Sequence, residues 1–192
     1  MNTFVRRIMV VAGLSTAVAL PLSSQASDGV ITFSGSVEAS TCVVSVNGQG
    51  ASTTVTLPNV DQASLTSAAS KTTAAGTFFN IAVTGCTGSG NVQVYFEAGP
   101  NVDEATGGLI NTAGGGSNVE VNLYNASGST VVGTQIMPGT TTNQPSIFTQ
   151  AEGAGNTGVT QWIYAGYSTA GVNGAASVGA VSTTVTYSLI YS

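Results

Sequence analysis

Apolar residues recur at every second position in several short stretches of this chain, and clusters of Gly, Asn or Pro bound most of those stretches. A period of two marks strands half-buried against a core, whereas an amphipathic helix repeats its apolar positions at three and four. The clearest sets are Ile31, Phe33 and Val37, then Val55 and Leu57 in a short segment ended by Pro58. Phe79, Ile81 and Val83 lead into Cys86, and Val92, Val94 and Phe96 follow. Val119, Val121 and Leu123 form the next set, then Trp162, Tyr164 and Gly166, and a final run extends from Val181 to Tyr191. Residues 85–91, 99–117, 125–130, 138–145 and 171–176 read as turns and loops between them. Residues 59–70 are mixed and leave room for a short helix.

Composition agrees with this pattern. The chain is rich in Gly, Ser, Thr, Val and Ala and nearly free of Lys and Arg, which disfavours long amphipathic helices. Many short strands separated by turn signals predict an all-β fold, an immunoglobulin-like β-sandwich, with a closed barrel as the second choice. The run Gly114-Gly115-Gly116 lacks the lysine and the following helix of a phosphate-binding loop and reads as a plain loop.

The first residues stand outside this fold. Arg6 and Arg7 precede a mostly apolar stretch from Ile8 to Leu20, closed by Pro21. That stretch is shorter than the roughly 20 residues a membrane span needs, so residues 1–26 read as a secretory signal cleaved after Ser24-Gln25-Ala26. The chain from Ser27 onward suits one domain, and no membrane insertion of the mature chain is expected. Removing the signal leaves Lys71 as the single basic residue against 8 acidic ones. Such a balance excludes nucleic acid and anionic lipid as partners, since both are gripped by clustered Lys and Arg.

Cys42 and Cys86 are the 2 cysteines of the chain, and an exported chain meets an oxidising compartment. One disulfide is expected between them. A metal site would need further soft ligands, and the chain has 0 His, so neither metal nor cofactor is expected. The same absence argues against catalysis, because general acid–base and serine chemistry most often rely on His. Asp103 and Glu104 form the nearest approach to a carboxylate pair, and in a Gly-rich segment they read as a solvated loop. Trp162 reads as a core residue, the competing reading being a sugar-stacking platform.

Three features together carry the functional reading. An alternating segment, Gly29-Val30-Ile31-Thr32-Phe33-Ser34-Gly35-Ser36-Val37, follows the cleavage point and precedes the first cysteine. The cysteine pair staples the first half. At the C-terminus, Val181, Val185, Tyr187, Leu189 and Tyr191 alternate with mostly polar residues up to Ser192, and are expected to supply core side chains from one face. With Tyr191 penultimate, Gly179 fourteenth from the end, and the pattern Val121-x-Leu123-x-x-x-x-Gly128, the chain resembles the chaperone-usher pilins of the type 1 fimbrial major subunit family.

What the resemblance implies is a sandwich lacking its last strand and completed by donor-strand exchange. Residues 1–26 would be the signal peptide, 27–40 the N-terminal donor segment and 41–192 the pilin β-sandwich domain. Ile31, Phe33, Gly35 and Val37 would enter a neighbour's groove, with Gly35 where that groove narrows. Gly179, Val181, Val185, Tyr187, Leu189 and Tyr191 would form the acceptor and chaperone-binding strand. The implied partners are identical subunits head to tail, a periplasmic chaperone, an outer-membrane usher and a tip adhesin. The implied destination is a fimbrium on the bacterial cell surface, reached through the periplasm. A minor adaptor subunit and a secreted carbohydrate-binding sandwich are the alternatives.

Overall fold

The computed structural model describes Thr32 and residues 42–65, 76–87, 90–150, 158–169 and 175–192. The chain divides into two compact units, Met1–Ser36 and Val37–Ser192, and every described residue but Thr32 belongs to the second. Ile31, Phe33, Gly35 and Val37 therefore lie outside the described residues.

Nine strands are present among the described residues: β1 (Val43–Val46), β2 (Gly76–Thr84), β3 (Gly90–Phe96), β4 (Leu109–Ile110), β5 (Glu120–Ser127), β6 (Thr130–Ile136), β7 (Phe148–Gln150), β8 (Val159–Ser168) and β9 (Tyr187–Tyr191). One antiparallel sheet runs in the order β1-β2-β8-β5-β4, with β6 also paired to β5, and a second runs β7-β3-β9. Among the described residues between Val46 and β2 lies a 3-10 turn, Gln62–Ser64, where Asp61 caps the start by accepting a hydrogen bond from the Ala63 amide at 2.9 Å. This is the short helical element for which residues 59–70 left room.

Pleating decides which residues meet in the core. Register sets Phe79 opposite Ile163 and Val121 opposite Tyr167, so alternate residues of β2, β8 and β5 share one face. Phe79, Ile81, Val83, Ile163, Ala165, Tyr167, Val121 and Leu123 are buried there with Val92, Val94 and Phe96 of the other sheet. The Cys42–Cys86 disulfide is formed and joins the flanks of the β1–β2 pair. In the chain-entropy account, closing a loop of that span stabilises the fold by about 4 kcal/mol.

Several sequence expectations shift by one face or one element. On β8 the core row is Ile163, Ala165 and Tyr167, so Trp162, Tyr164 and Gly166 occupy the opposite face and Trp162 is half-buried outside the core cluster. β8 is apolar on both faces over that stretch, and alternation alone does not say which face is inward. Strand β4 lies within residues 99–117, which the sequence assigns to a loop, and β1, β6 and β7 lie in stretches that the alternation does not single out. Along β6 exposed residues alternate with half-buried ones and only Ile136 is buried, a strand with one side toward solvent. The final run is divided: the ladder with β3 covers only Tyr187–Tyr191, and residues 181–186 are extended without a strand on one side. Tyr191, paired in register with Val92, is 40% exposed and does not close the core row.

Candidate functional site

Two extended segments without a complete ladder stand over the open side of the core. The first follows β1. Along residues 53–57, Thr53, Val55 and Leu57 are half-buried and Thr54 and Thr56 exposed, the alternation of a strand. Among the described residues, however, residues 51–60 make no backbone-to-backbone hydrogen bond. The second precedes β9, where Val181, Thr183, Val185 and Tyr187 are half-buried and Ser182, Thr184 and Thr186 exposed.

The second segment is anchored along one edge only. Ser182 accepts from the Thr112 amide at 2.8 Å, Thr186 accepts from the Glu97 amide at 2.9 Å, and the Ser182 amide donates to Asn111 Oδ1 at 2.8 Å. In an extended chain the backbone groups of successive residues point to opposite edges, so those of Val181, Thr183 and Val185 face the other way. Those three make no backbone hydrogen bond among the described residues.

Between the segments lies a groove of about 850 Å³ floored by Phe79, Ile81, Phe96, Val121, Leu123 and Tyr167. Both ends are tied. At one, the Tyr187 hydroxyl donates to the Ala51 carbonyl at 2.6 Å; at the other, Gln62 Nε2 donates to the Ala176 carbonyl. Ala51 thus pairs with Tyr187 and Gln62 with Ala176, so the walls run antiparallel, held at their ends and unladdered between. The Tyr167 hydroxyl also holds the first wall, donating to the Pro58 carbonyl at 3.0 Å. Burial raises the pKa of both Tyr187 and Tyr167, and both phenols remain protonated donors at neutral pH.

The residues singled out in the sequence fall unevenly on this site. Val181, Val185 and Tyr187 line the groove, while Leu189 and Tyr191 lie beyond it in the β9 ladder. Gly179 lines it too, for a reason of packing: a Cβ there would stand 2.4 Å from the Ser117 amide nitrogen and 2.5 Å from the Gly116 carbonyl carbon. Only a residue without a side chain lets the wall approach that backbone, where Ser117 donates to the Ala180 carbonyl at 3.0 Å. The opposite wall, Thr53 to Val60, was not singled out. Its signal was the short alternation Val55-x-Leu57, which reads equally as an ordinary paired strand.

Elsewhere Asp103 and Glu104 lie in a loop, as their sequence reading has it. Glu104 is exposed, and the carboxyl that meets Asp103 is Glu120, buried on the outer side of β5 with Thr106 donating to it at 2.8 Å. Desolvation raises the pKa of Glu120, and Asp103 is lowered chiefly by the Ala105 amide that donates to it. These groups fasten the loop from Asp103 to Gly108 onto β5, where a Cβ on Gly108 would stand 2.2 Å from Glu120 Oε2. The half-buried Trp162 is set in β8 opposite Asn80 and Ala126.

The comparisons with known proteins agree with one another. The family of type-1 fimbrial protein A matches residues 57–192. An F17 fimbrial protein of Escherichia coli is 38% identical over 192 residues, covering 97% of this chain and 99% of that one. A major fimbrial subunit of Stenotrophomonas maltophilia, SMF-1, is 34% identical over 185 residues, covering 90% of this chain and 98% of its own.

Proposed function

This chain belongs to the type-1 fimbrial protein family and is a structural fimbrial subunit, and from that premise we propose that its groove accepts a strand from a neighbouring copy. Its role is structural and not enzymatic, and its place is in fimbriae on the bacterial cell surface. The observation that carries the reading is the pair of antiparallel walls, tied at Ala51–Tyr187 and Gln62–Ala176 and unladdered between, over an apolar floor.

An extended segment laid along the second wall would meet the free backbone edge of Val181, Thr183 and Val185 and bury its alternate side chains on the floor. Strand addition of this kind draws affinity from main-chain hydrogen bonds and specificity from pockets for every second side chain. Residues 27–40 of the next copy suit the task, since Ile31, Phe33 and Val37 are apolar at alternate positions with small or polar residues between. Each subunit would complete the one ahead of it, and such a head-to-tail contact propagates as a filament.

Until that exchange the groove would leave apolar surface beside an unpaired strand edge, a hazard for aggregation. A periplasmic chaperone would cover it first, and an outer-membrane usher would host the replacement. Deleting residues 27–37 tests the reading. The shortened subunit is expected to co-purify with its chaperone and to yield no polymer by electron microscopy. Fibres of ordinary length built from the deletion alone would overturn it.

A further inference from the structure

Away from the groove, on the outer side of β5, two buried oxygens converge. A Cβ on Gly108 would stand 2.2 Å from Glu120 Oε2 and 2.7 Å from Asn122 Oδ1, so both atoms border the same spot. Glu120 is 6% exposed and Asn122 1%, and the Asn122 oxygen is buried with no hydrogen-bond partner. The Asp103 carboxylate meets Glu120 from the neighbouring loop.

The surrounding hydrogen bonds fix which way the Asn122 oxygen points. A carbonyl can only accept, and that of Thr106 receives Gln135 Nε2 at 2.8 Å, which turns Gln135 Oε1 toward Asn122. Asn122 Nδ2 donates to it at 3.1 Å, leaving Oδ1 on the side of Glu120. Thr106 has no proton to spare, since its hydroxyl accepts from the Gly108 amide at 3.1 Å and donates to Glu120 Oε2 at 2.8 Å. A buried oxygen so placed costs free energy until something positive reaches it. Two carboxylates side by side make the same demand, because like charges in contact repel.

We propose that Asp103, Glu120 and Asn122 hold a calcium ion, the carboxylates supplying charge and the Asn122 oxygen a neutral ligand. With no His and both cysteines joined, the chain offers soft metals nothing, whereas calcium takes oxygens of all these kinds in flexible geometry. Asp103 is only half-buried, so water completes the coordination from that side. Magnesium demands a near-ideal octahedron and gives up its water reluctantly, and it suits so irregular a set less well. The ion would pin the loop from Asp103 to Gly108 onto β5. That loop leads through β4 to Asn111 and Thr112, which anchor the second wall at Ala180 and Ser182, so calcium would also brace that wall from behind.

Equilibrium dialysis of assembled fibres, stripped with a chelator and returned to calcium, tests the site. One ion per subunit is expected, with half-saturation at about 10⁻⁴–10⁻³ M, the range of extracellular modules. Glu120→Gln and Asp103→Asn keep the shapes of the side chains and remove a ligand charge, and each is expected to weaken binding about tenfold or more. Glu104→Gln removes the same charge from an exposed neighbour in the loop and is expected to bind as the unaltered fibre does. Fibres that retain no calcium at millimolar concentration would overturn the site. Equal losses in all three variants would overturn it too, by assigning the binding to diffuse attraction toward an acidic surface. Infrared spectra give a second reading, because calcium requires Glu120 to be ionised. A protonated-acid carbonyl band that persists at neutral pH and saturating calcium, and disappears in Glu120→Gln, would assign the place to a proton instead.

Discussion

The phenol of Tyr187 donates to the carbonyl of Ala51, a bond of 2.6 Å between residues 136 positions apart that joins the two groove walls at one end. The same ring lies 6.4 Å from that of Phe96, on the groove floor. Tyr187 therefore belongs at once to the β9 ladder, to the second wall and to the tie.

Substitutions at Tyr187 separate these parts. Tyr187→Phe removes only the tie, and a single hydrogen bond of this kind contributes about 0.5–1.5 kcal/mol, so its thermal midpoint is expected to fall by a few degrees. Tyr187→Ala also removes the ring from Phe96, and a loss of about 2–4 kcal/mol is expected for a half-buried aromatic. Calorimetry of the two variants in the same assembly state as the unaltered protein checks the order. Equal midpoints for Tyr187→Phe and Tyr187→Ala would show that the ring contributes nothing by packing.

Gly179→Ala should damage the second wall from behind. The added Cβ would press on the backbone of Gly116 and Ser117, which cannot turn aside as a flexible side chain can. Overpacking of this sort costs about 1–3 kcal/mol, and the Ser117–Ala180 hydrogen bond should break or lengthen. The expected readout is faster amide exchange at Ser117 together with a lower midpoint. Unchanged exchange would mean that the wall shifts freely.

The Cys42–Cys86 bridge should be worth a large share of the domain's stability. Replacing both cysteines by Ala is expected to cost about 2–4 kcal/mol, through greater freedom of the unfolded chain. Intact mass measured with and without reductant before alkylation verifies the bridge, and denaturant titration of the double variant measures its worth. Two free thiols in the secreted protein would contradict the structure.

Glu120 sets a pH dependence whose sign follows from its surroundings. Desolvation raises its folded pKa above the ordinary 4.5, so the folded state holds the proton more tightly than the unfolded chain. That contribution is complete below 4.5 and is lost as pH rises through the folded value. Asp103 acts in the opposite sense: lowered from 3.8, it contributes above that pH and loses its effect as pH falls. Glu120→Gln is therefore expected to abolish the decline on the upper side of pH 4.5, with Thr106 free to donate to the new amide oxygen. Unfolding curves of both proteins from acid to neutral pH would show it. A decline of the same size in the variant would assign it to another group.

Strand content and the apolar rows of β2, β3 and β5 were legible because each has one face buried, and a period of two then appears directly in the residues. The cysteine pair was legible too, whereas Gly179 stood out only through the family resemblance, since the backbone it touches lies more than sixty positions away in the chain. For β8 the period was correct and the face was wrong. Tyr164 and Ile163 are both buried, and only pairing with Phe78 and Phe79 of β2 decides which of them meets the core. Tyr191 was misplaced for a related reason, since burial of a terminal side chain depends on what the other sheet puts above it.

The groove itself lies furthest from the sequence. Val55-x-Leu57 and Val181-x-Thr183-x-Val185 have the alternation of paired strands, and nothing local distinguishes a strand with two neighbours from one with a neighbour missing. The chain by itself determined that both segments are extended and which side chains each turns inward, because pleating is a property of the backbone. Only the tertiary structure decided that they stand on either side of an unfilled gap. The walls meet through two long-range ties at their ends, Tyr187 to Ala51 and Gln62 to Ala176, and contacts between residues so far apart in the chain have no local pattern to announce them.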